Sequence, residues 1–325
     1  MHQIVQFTHP GAEHGPDSQA KSHKPWNYGA HRRKFIRATG DYVDAQNRLI
    51  QGESLLFWGE WEPPSDVERL AKRPDKFYPR WLHHPYLPAV IPTGAASACS
   101  PAGNICDPKC AEAGPQNTDP FVFEGAFKYF VCKQARVNFT KTTGMATLEA
   151  GSVILFGSTS GRERKDSFFQ LDTVFVIKDW IEYDPSDLKS VRSHPEVSPL
   201  YDQLALSKAF PKAVGTSIKL RLYRGATLSD PVNGMYSFSP ARVCTAPPVG
   251  FQRVKLKATD FKTKLKGSEF LTNNLQSAPK YTKGSADEIK SAWLEIREAS
   301  RTQGCVEGVR FSFRSEAERG ISTPS

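Results

Sequence analysis

The 325-residue sequence contains no run of about 18 apolar residues, so no segment is long enough to cross a bilayer as a helix. Met1 to Gly11 lacks the charged and apolar regions of a signal peptide, and a soluble, cytoplasmic protein without membrane contact is expected. There is no Gly-x-Gly-x-x-Gly and no Walker-type lysine loop, which disfavours dinucleotide and nucleoside-triphosphate enzymes. No internal repeat marks a solenoid or propeller. The six cysteines include no Cys-x-x-Cys pair. Cys99, Cys106 and Cys110 follow a Cys-x6-Cys-x3-Cys spacing without the tight knuckles of a zinc site. They read first as thiols of a small-residue insertion over 95–118. Completion of a zinc site by Cys132, His83 or His84 stays open, and no cofactor or metal is expected.

What the chain has is positive charge and an adequate core. Lys and Arg number 43 against 34 Asp and Glu, a formal net charge of +9, and 39% of the residues are hydrophobic. A basic balance favours a polyanionic partner, nucleic acid ahead of a membrane surface. The expected partner is DNA, bound by a monomer.

The most informative stretch is GESLLFWGEWEPPS, residues 52–65. Leu55 to Trp58 reads as a short interior strand bounded by Gly52 and Gly59. Glu60 and Glu62, two apart, share one side of extended backbone, with Trp61 opposite. Carboxylates at the mouth of a core strand suit general acid/base chemistry. The alternative is a solvated strand end paired with surface arginines.

Other stretches add candidates. After the strand Ile4 to Phe7, His9, Glu13, His14 and Asp17 crowd onto one loop. His31, Arg32, Arg33, Lys34 and Arg37 lie among Trp26, Tyr28, Phe35 and Tyr42, a pattern suited to phosphate contact plus base stacking. A helix over Ala30 to Ala38 would place Arg33 and Arg37 on one face. Residues 63–92 hold seven prolines and many aromatics, which predicts an ordered loop able to wall a pocket. Val153 to Phe156 and Phe168 to Ile177 read as strands, the second interrupted by Asp172. A carboxylate inside a core strand costs several kcal/mol unless paired, so a chain that keeps one there usually uses it. Otherwise Gln170, Asp172 and Lys178 mark the solvent side of an alternating strand. Arg162 and Arg164 sit on a basic turn between these strands. Helices are expected near Pro199 to Ala209 and over Ala286 to Arg301, a strand over Ser217 to Tyr223, and a basic strand face carrying Arg253, Lys255 and Lys257.

Together these elements predict an α+β protein with a central, mostly antiparallel or barrel-like sheet and flanking helices. Its core spans 1–245, with a basic C-terminal extension over 246–325 packed on it. The combination of HPGAEHGPD, LLFWGEWEPPS, DPFVFEGAFKYFVCKQ and AGSVILFGS followed by FQLDTVFVI resembles bacterial anti-phage DNA glycosylases acting on glucosylated hydroxymethylcytosine. Its short strands after small turns also resemble barrel domains of the PUA and ASCH type. The resemblance implies base flipping and cleavage of an N-glycosidic bond. On that view the base sits among Trp26, Tyr28, Trp58, Trp61 and the 77–86 aromatics, with Glu60 or Glu62 near the sugar. Asp172 or Asp17 orients water, and His14 or His31 handles a proton. Two other classes remain: a non-catalytic modified-base reader, and a metal-dependent nuclease using His9, Glu13, His14, Asp17 and Glu60.

Overall fold

The computed structural model describes residues 2–9, 11, 13, 33–61, 65–71, 73–87, 118–136, 139–160, 167–206, 218–263, 265 and 279–315. Strand dominates. Two seven-stranded sheets are built from β1 (His2–Thr8), β2 (Lys34–Val43), β3 (Leu49–Gly59), β4 (Ser65–Arg69), β5 (Trp81–Leu87), β6 (Lys128–Tyr129), β7 (Val153–Ser160), β8 (Phe168–Tyr183), β9 (Leu220–Gly225), β10 (Ser239–Val243), β11 (Val254–Leu256), β12 (Lys280–Gly284), β13 (Val306–Ser312) and β14 (Arg314–Ser315). The first sheet runs β12-β1-β7-β8-β9-β6, with β11 beside β8. The second runs β13-β10-β3-β2-β5-β14, with β4 beside β5. Because β13 also pairs with β2, strands β2, β3, β10 and β13 close on themselves, so the expected α+β fold with a mostly antiparallel, barrel-like sheet is present. The parallel pairs are β1–β7, β2–β5 and β5–β14. The strands after residue 245 are built into both sheets.

The apolar runs are explained by what lies on either side of them. In β3, Leu55 and Phe57 enter one core cluster while Leu56 and Trp58 enter another. β7 divides in the same way, with Ile154 and Phe156 against Val153 and Leu155. A strand buried on both faces must be apolar at every position, which is why LLFW and VILF do not alternate.

Flanking helices are few. α1 (Lys189–Arg192) and α2 (Pro199–Tyr201) are single turns, α2 continuing into a wider turn over Asp202–Leu206. α3 (Ala286–Thr302) is the substantial one. Ser285 caps it through the Glu288 N–H, and it buries Ile289, Trp293 and Ile296 against the second cluster. Gly304 follows at φ 77°.

Two expectations fail. Residues 33–38 are not helical: Arg33 leads directly into β2, which pairs with β3, β5 and β13. Long-range pairing of a strand with Phe35, Ile36 and Ala38 all buried overrides local helix propensity. The proline-rich stretch is not only loop, because β4 and β5 form within it. His83 and His84 pack there as strand residues, His83 Nδ1 lying 2.9 Å from Ser65 Oγ and His84 Nε2 3.2 Å from Glu68 Oε2.

Gly157 stands at a register shift between β7 and β8, and its carbonyl accepts the His9 N–H at 2.8 Å. A Cβ there would lie 2.1 Å from the Gln170 carbonyl oxygen, so the two strands approach too closely for any side chain. Gly157→Ala is expected to destabilise the fold by about 1–3 kcal/mol or more, measured by urea denaturation. An unchanged midpoint would mean that the strands spread at no cost.

Candidate functional site

Where the two sheets meet, five ionisable side chains form a buried ladder. Arg33 precedes β2 and Glu60 follows β3, so the pair flanks the last ladder rung, Lys34 opposite Gly59. His9 follows β1, Asp172 lies on β8 beside the register shift, and Arg253 immediately precedes β11. All five are between 1 and 6% exposed. His9 Nδ1 lies 2.7 Å from Glu60 Oε2, a close contact bent away from the ideal donor line. Arg33 Nη1 donates to the same oxygen at 3.2 Å, and its Nε lies 3.2 Å from Asp172 Oδ2. Arg253 Nη1 stands 3.6 Å from Asp172 Oδ1. Asp172 is thus held by charge, neither oxygen meeting a well-aligned donor.

Arg253 is the hub. It donates to Ser158 Oγ at 2.8 Å, to the Gly11 carbonyl at 2.7 Å and to Gln170 Oε1 at 3.2 Å, and its guanidinium lies 5.2 Å from the Trp58 ring centre. On its far side opens a cavity of about 600 Å³. Trp58, Phe77, Tyr78 and Trp81 supply the aromatic wall; Arg73, Lys76, Arg80 and Arg253 supply positive charge. Among the described residues the wall carries one carboxylate, Glu13, whose Oε1 accepts the backbone N–H groups of Arg80 at 2.6 Å and Trp81 at 2.8 Å.

Burial sets the protonation of these groups. His9 is pushed down to about 4 by loss of solvation, although Glu60 pulls it up, so its imidazole is neutral at pH 7. Burial raises Glu13 above its ordinary value, against the two backbone donors. It also raises Asp172, while the two guanidiniums pull back, and it lowers Arg253.

The structure separates the expected residues. Glu60 and Asp172 come together, but inside the ladder and not on the cavity wall. Trp61 cannot stack on a base: it is fully buried against Phe123 and Phe313, with ring centres 4.9 and 5.0 Å away. Arg33 is a core cation rather than a phosphate contact, and Arg37 is half-buried and donates to Ser54 Oγ at 2.8 Å. Arg253 is buried instead of sharing an open basic face. Lys255 lies 5.3 Å from the rings of Phe77 and Phe168, and Lys257 is exposed. The aromatics Trp58, Phe77, Tyr78 and Trp81 do line one cavity. His14, Asp17, Trp26, Tyr28, His31, Arg32, Glu62, Cys99, Cys106, Cys110, Arg162 and Arg164 lie outside the described residues. Among the described residues no group of three His, Cys, Asp or Glu side chains is placed to share a metal ion. No helix among them is long and apolar enough to cross a membrane.

Sequence reasoning missed Arg253 as a hub and Glu13 as the cavity acid. It named Cys132 only as a possible zinc ligand and missed its partner, His9, whose Nε2 lies 3.3 Å from the Cys132 Sγ. A usable signal was position, since His9 and Glu60 stand one residue past a core strand and Cys132 three past β6.

No family model matches the chain, and neither does any curated protein or solved structure.

The depressed His9 fixes a pH dependence. Its contribution to stability is complete above 6.5, the unfolded value, and is lost as pH falls through about 4. Relative to His9→Asn, the wild-type chain should lose at most about 1.4 kcal/mol per pH unit across that window, read from urea midpoints. A constant difference would show that His9 protonates as freely folded as unfolded.

Proposed function

We propose that the chain binds DNA, accepts an extruded modified base in the aromatic cavity and hydrolyses its N-glycosidic bond. The observation that carries this reading is the cavity wall, which among the described residues combines four aromatic side chains, four cations and a single carboxylate. Ring faces stack on any base, and arginine and lysine neutralise the flanking phosphates. At about 600 Å³ the space exceeds what one flat base fills, which favours a base bearing a bulky group, such as the glucosylated hydroxymethylcytosine that the sequence resemblance implies.

In this reading Glu13, not Glu60, stands at the sugar. Two backbone N–H groups anchor its Oε1 and leave Oε2 to act. Its raised pKa makes it a better base for water than an ordinary carboxylate, and when ionised it stabilises positive charge developing on the sugar. Water bonds to the anomeric carbon as the bond to the base breaks; Glu13 takes the proton and the departing base takes the electron pair. Glu60 and Asp172 hold Arg33 and Arg253, so they position the wall.

The placement of Glu60 and Asp172 in ion pairs also favours a second reading, a modified-base reader without catalysis. Amide variants at those two positions do not separate the readings, because breaking a buried ion pair costs about 3–5 kcal/mol and unfolds the site first. Glu13→Gln does separate them.

Incubated with DNA carrying glucosylated hydroxymethylcytosine, the wild-type chain should release free base and leave abasic sites, while Glu13→Gln binds normally and loses release by about 10²-fold or more. Binding without release by the wild-type chain would leave the reader. DNA affinity should also fall steeply as salt rises, and Trp81→Ala should weaken binding by about 1–3 kcal/mol. Affinity indifferent to salt would remove DNA as the partner.

A further inference from the structure

At the other end of the ladder a thiol, an imidazole and a carboxylate stand in line. Cys132 Sγ lies 3.3 Å from His9 Nε2, and His9 Nδ1 lies 2.7 Å from Glu60 Oε2. The carboxylate beside Nδ1 favours the proton there, which leaves Nε2 free to accept the thiol proton. Glu60 is itself held by Arg33.

The turn bearing the thiol is rigidly built. The Asp119 carboxylate accepts the backbone N–H groups of Phe130, Val131 and Cys132 at 3.0, 3.1 and 2.9 Å. Tyr129 Oη donates to the Cys132 carbonyl at 2.6 Å. Gln134 N–H bonds back to the Val131 carbonyl at 3.0 Å, and Lys133 takes φ 60° at the turn position that favours glycine. A lysine kept in left-handed backbone next to a clamped thiol is local strain of the kind stored at reactive sites. The Lys133 ammonium is fixed between the Thr8 carbonyl, at 2.6 Å, and the Phe7 ring, and its charge reaches the Cys132 sulfur. It is placed to offset negative charge on an adduct at sulfur.

We propose that Cys132, His9 and Glu60 form a nucleophilic site, separate from the aromatic cavity, that takes the acyl group of a carboxylic ester onto sulfur and hydrolyses it. As the sulfur attacks the carbonyl carbon, the thiol proton passes to His9 Nε2. Collapse of the adduct expels the alcohol, which leaves with the proton from Nε2. Water then attacks the thioester, gives a proton to Nε2 and releases the acid, and that proton returns to sulfur. Cys132 and His9 are the catalytic residues; Glu60 is a positioning residue.

Burial keeps the thiol protonated and the imidazole neutral at rest; both shifts oppose transfer of the proton from sulfur to Nε2, so the step rests on the alignment of Sγ, Nε2 and Glu60. Lys133, Arg33 and Glu60 are the charged groups around that pair, and Asp119, pushed up to about 7 by burial, is its titratable neighbour.

The probe is p-nitrophenyl acetate, followed by p-nitrophenolate release and by peptide mass spectrometry of the acetylated cysteine. A stoichiometric burst is expected, with acetyl on Cys132 and none on Cys244, which is also half-buried. His9→Asn should slow acylation by about 10²-fold or more, and Cys132→Ala should abolish the burst. The wild-type rate should rise through about pH 4, where His9 loses its proton, and stay level until Asp119 begins to ionise toward its pKa of about 7. A bare thiol would instead climb about tenfold per pH unit toward its own pKa. The proposal is overturned if Cys132 acylates no faster than Cys244, if His9→Asn acylates at the wild-type rate, or if the rate climbs steadily across the interval between the His9 and Asp119 titrations. Should His9→Asn fail to fold by circular dichroism, the wild-type pH profile and the contrast between the two cysteines decide. None of these outcomes bears on the DNA reading, which uses the cavity and Glu13.

Discussion

Two sheets meet in this protein across a buried ladder of charge, and the placement of everything reactive depends on it. Glu60 and Arg33 belong to the ends of β3 and β2 in one sheet; His9, Asp172 and Arg253 belong to strands, or strand ends, of the other. His9–Glu60 and Arg33–Asp172 tie the two sheets to each other, while Arg33–Glu60 and Arg253–Asp172 brace strand ends within one sheet each. Five ionisable groups withdrawn from water are a poor way to gain stability, since their desolvation offsets most of the attraction between them. Asp172 makes the point, with two guanidiniums near and no aligned donor on either oxygen. Apolar side chains would join the sheets at lower cost. What the ladder provides instead is fixed orientation, for Arg253 at the cavity wall and for His9 beside Cys132.

Much of the scaffold was legible in local sequence. LLFW and VILF read as buried strands because continuous apolar character has one explanation when both faces are covered. The 286–302 helix was legible from the spacing of Ile289, Trp293 and Ile296. Residues 33–38 were not, for a reason of period: positions four apart share a face in a helix and also in a strand, so Arg33 and Arg37 could not discriminate. β2 is decided by partners up to about 270 positions away, including Ser312 opposite Thr39. Such pairing leaves no local trace.

The site was legible in parts and not in its assembly. Glu60 was found correctly as a carboxylate past a core strand, and Asp172 as a buried acid that must have a partner. Their partners were not, because Arg253 is remote in the chain from both and looked like one residue of an alternating basic face. Cys132 was considered only as a metal ligand, while the imidazole it meets lies 123 positions earlier. Trp61 misled in the opposite way. An aromatic between two acids suggests stacking, yet a strand that leaves one core enters another, and the ring is spent there.

Charge accounting shows why the two ends of the ladder differ. Arg33 and Arg253 offset Glu60 and Asp172, and His9 is held neutral by burial, so the ladder as a whole carries little net charge. The field in the cavity is then set by its rim, where among the described residues Arg73, Lys76 and Arg80 face Glu13 alone, a balance that would favour a polyanion on that side. At the other end the added cation among the described residues is Lys133, fixed beside a protonated thiol. That end has no rim of cations among the described residues and gains little from a polyanion, but a single charge close to sulfur acts strongly on any adduct that places negative charge there. The near-neutral ladder thus separates the cationic cavity rim from the buried thiol, the two places where the proposed binding and the proposed acyl transfer would occur.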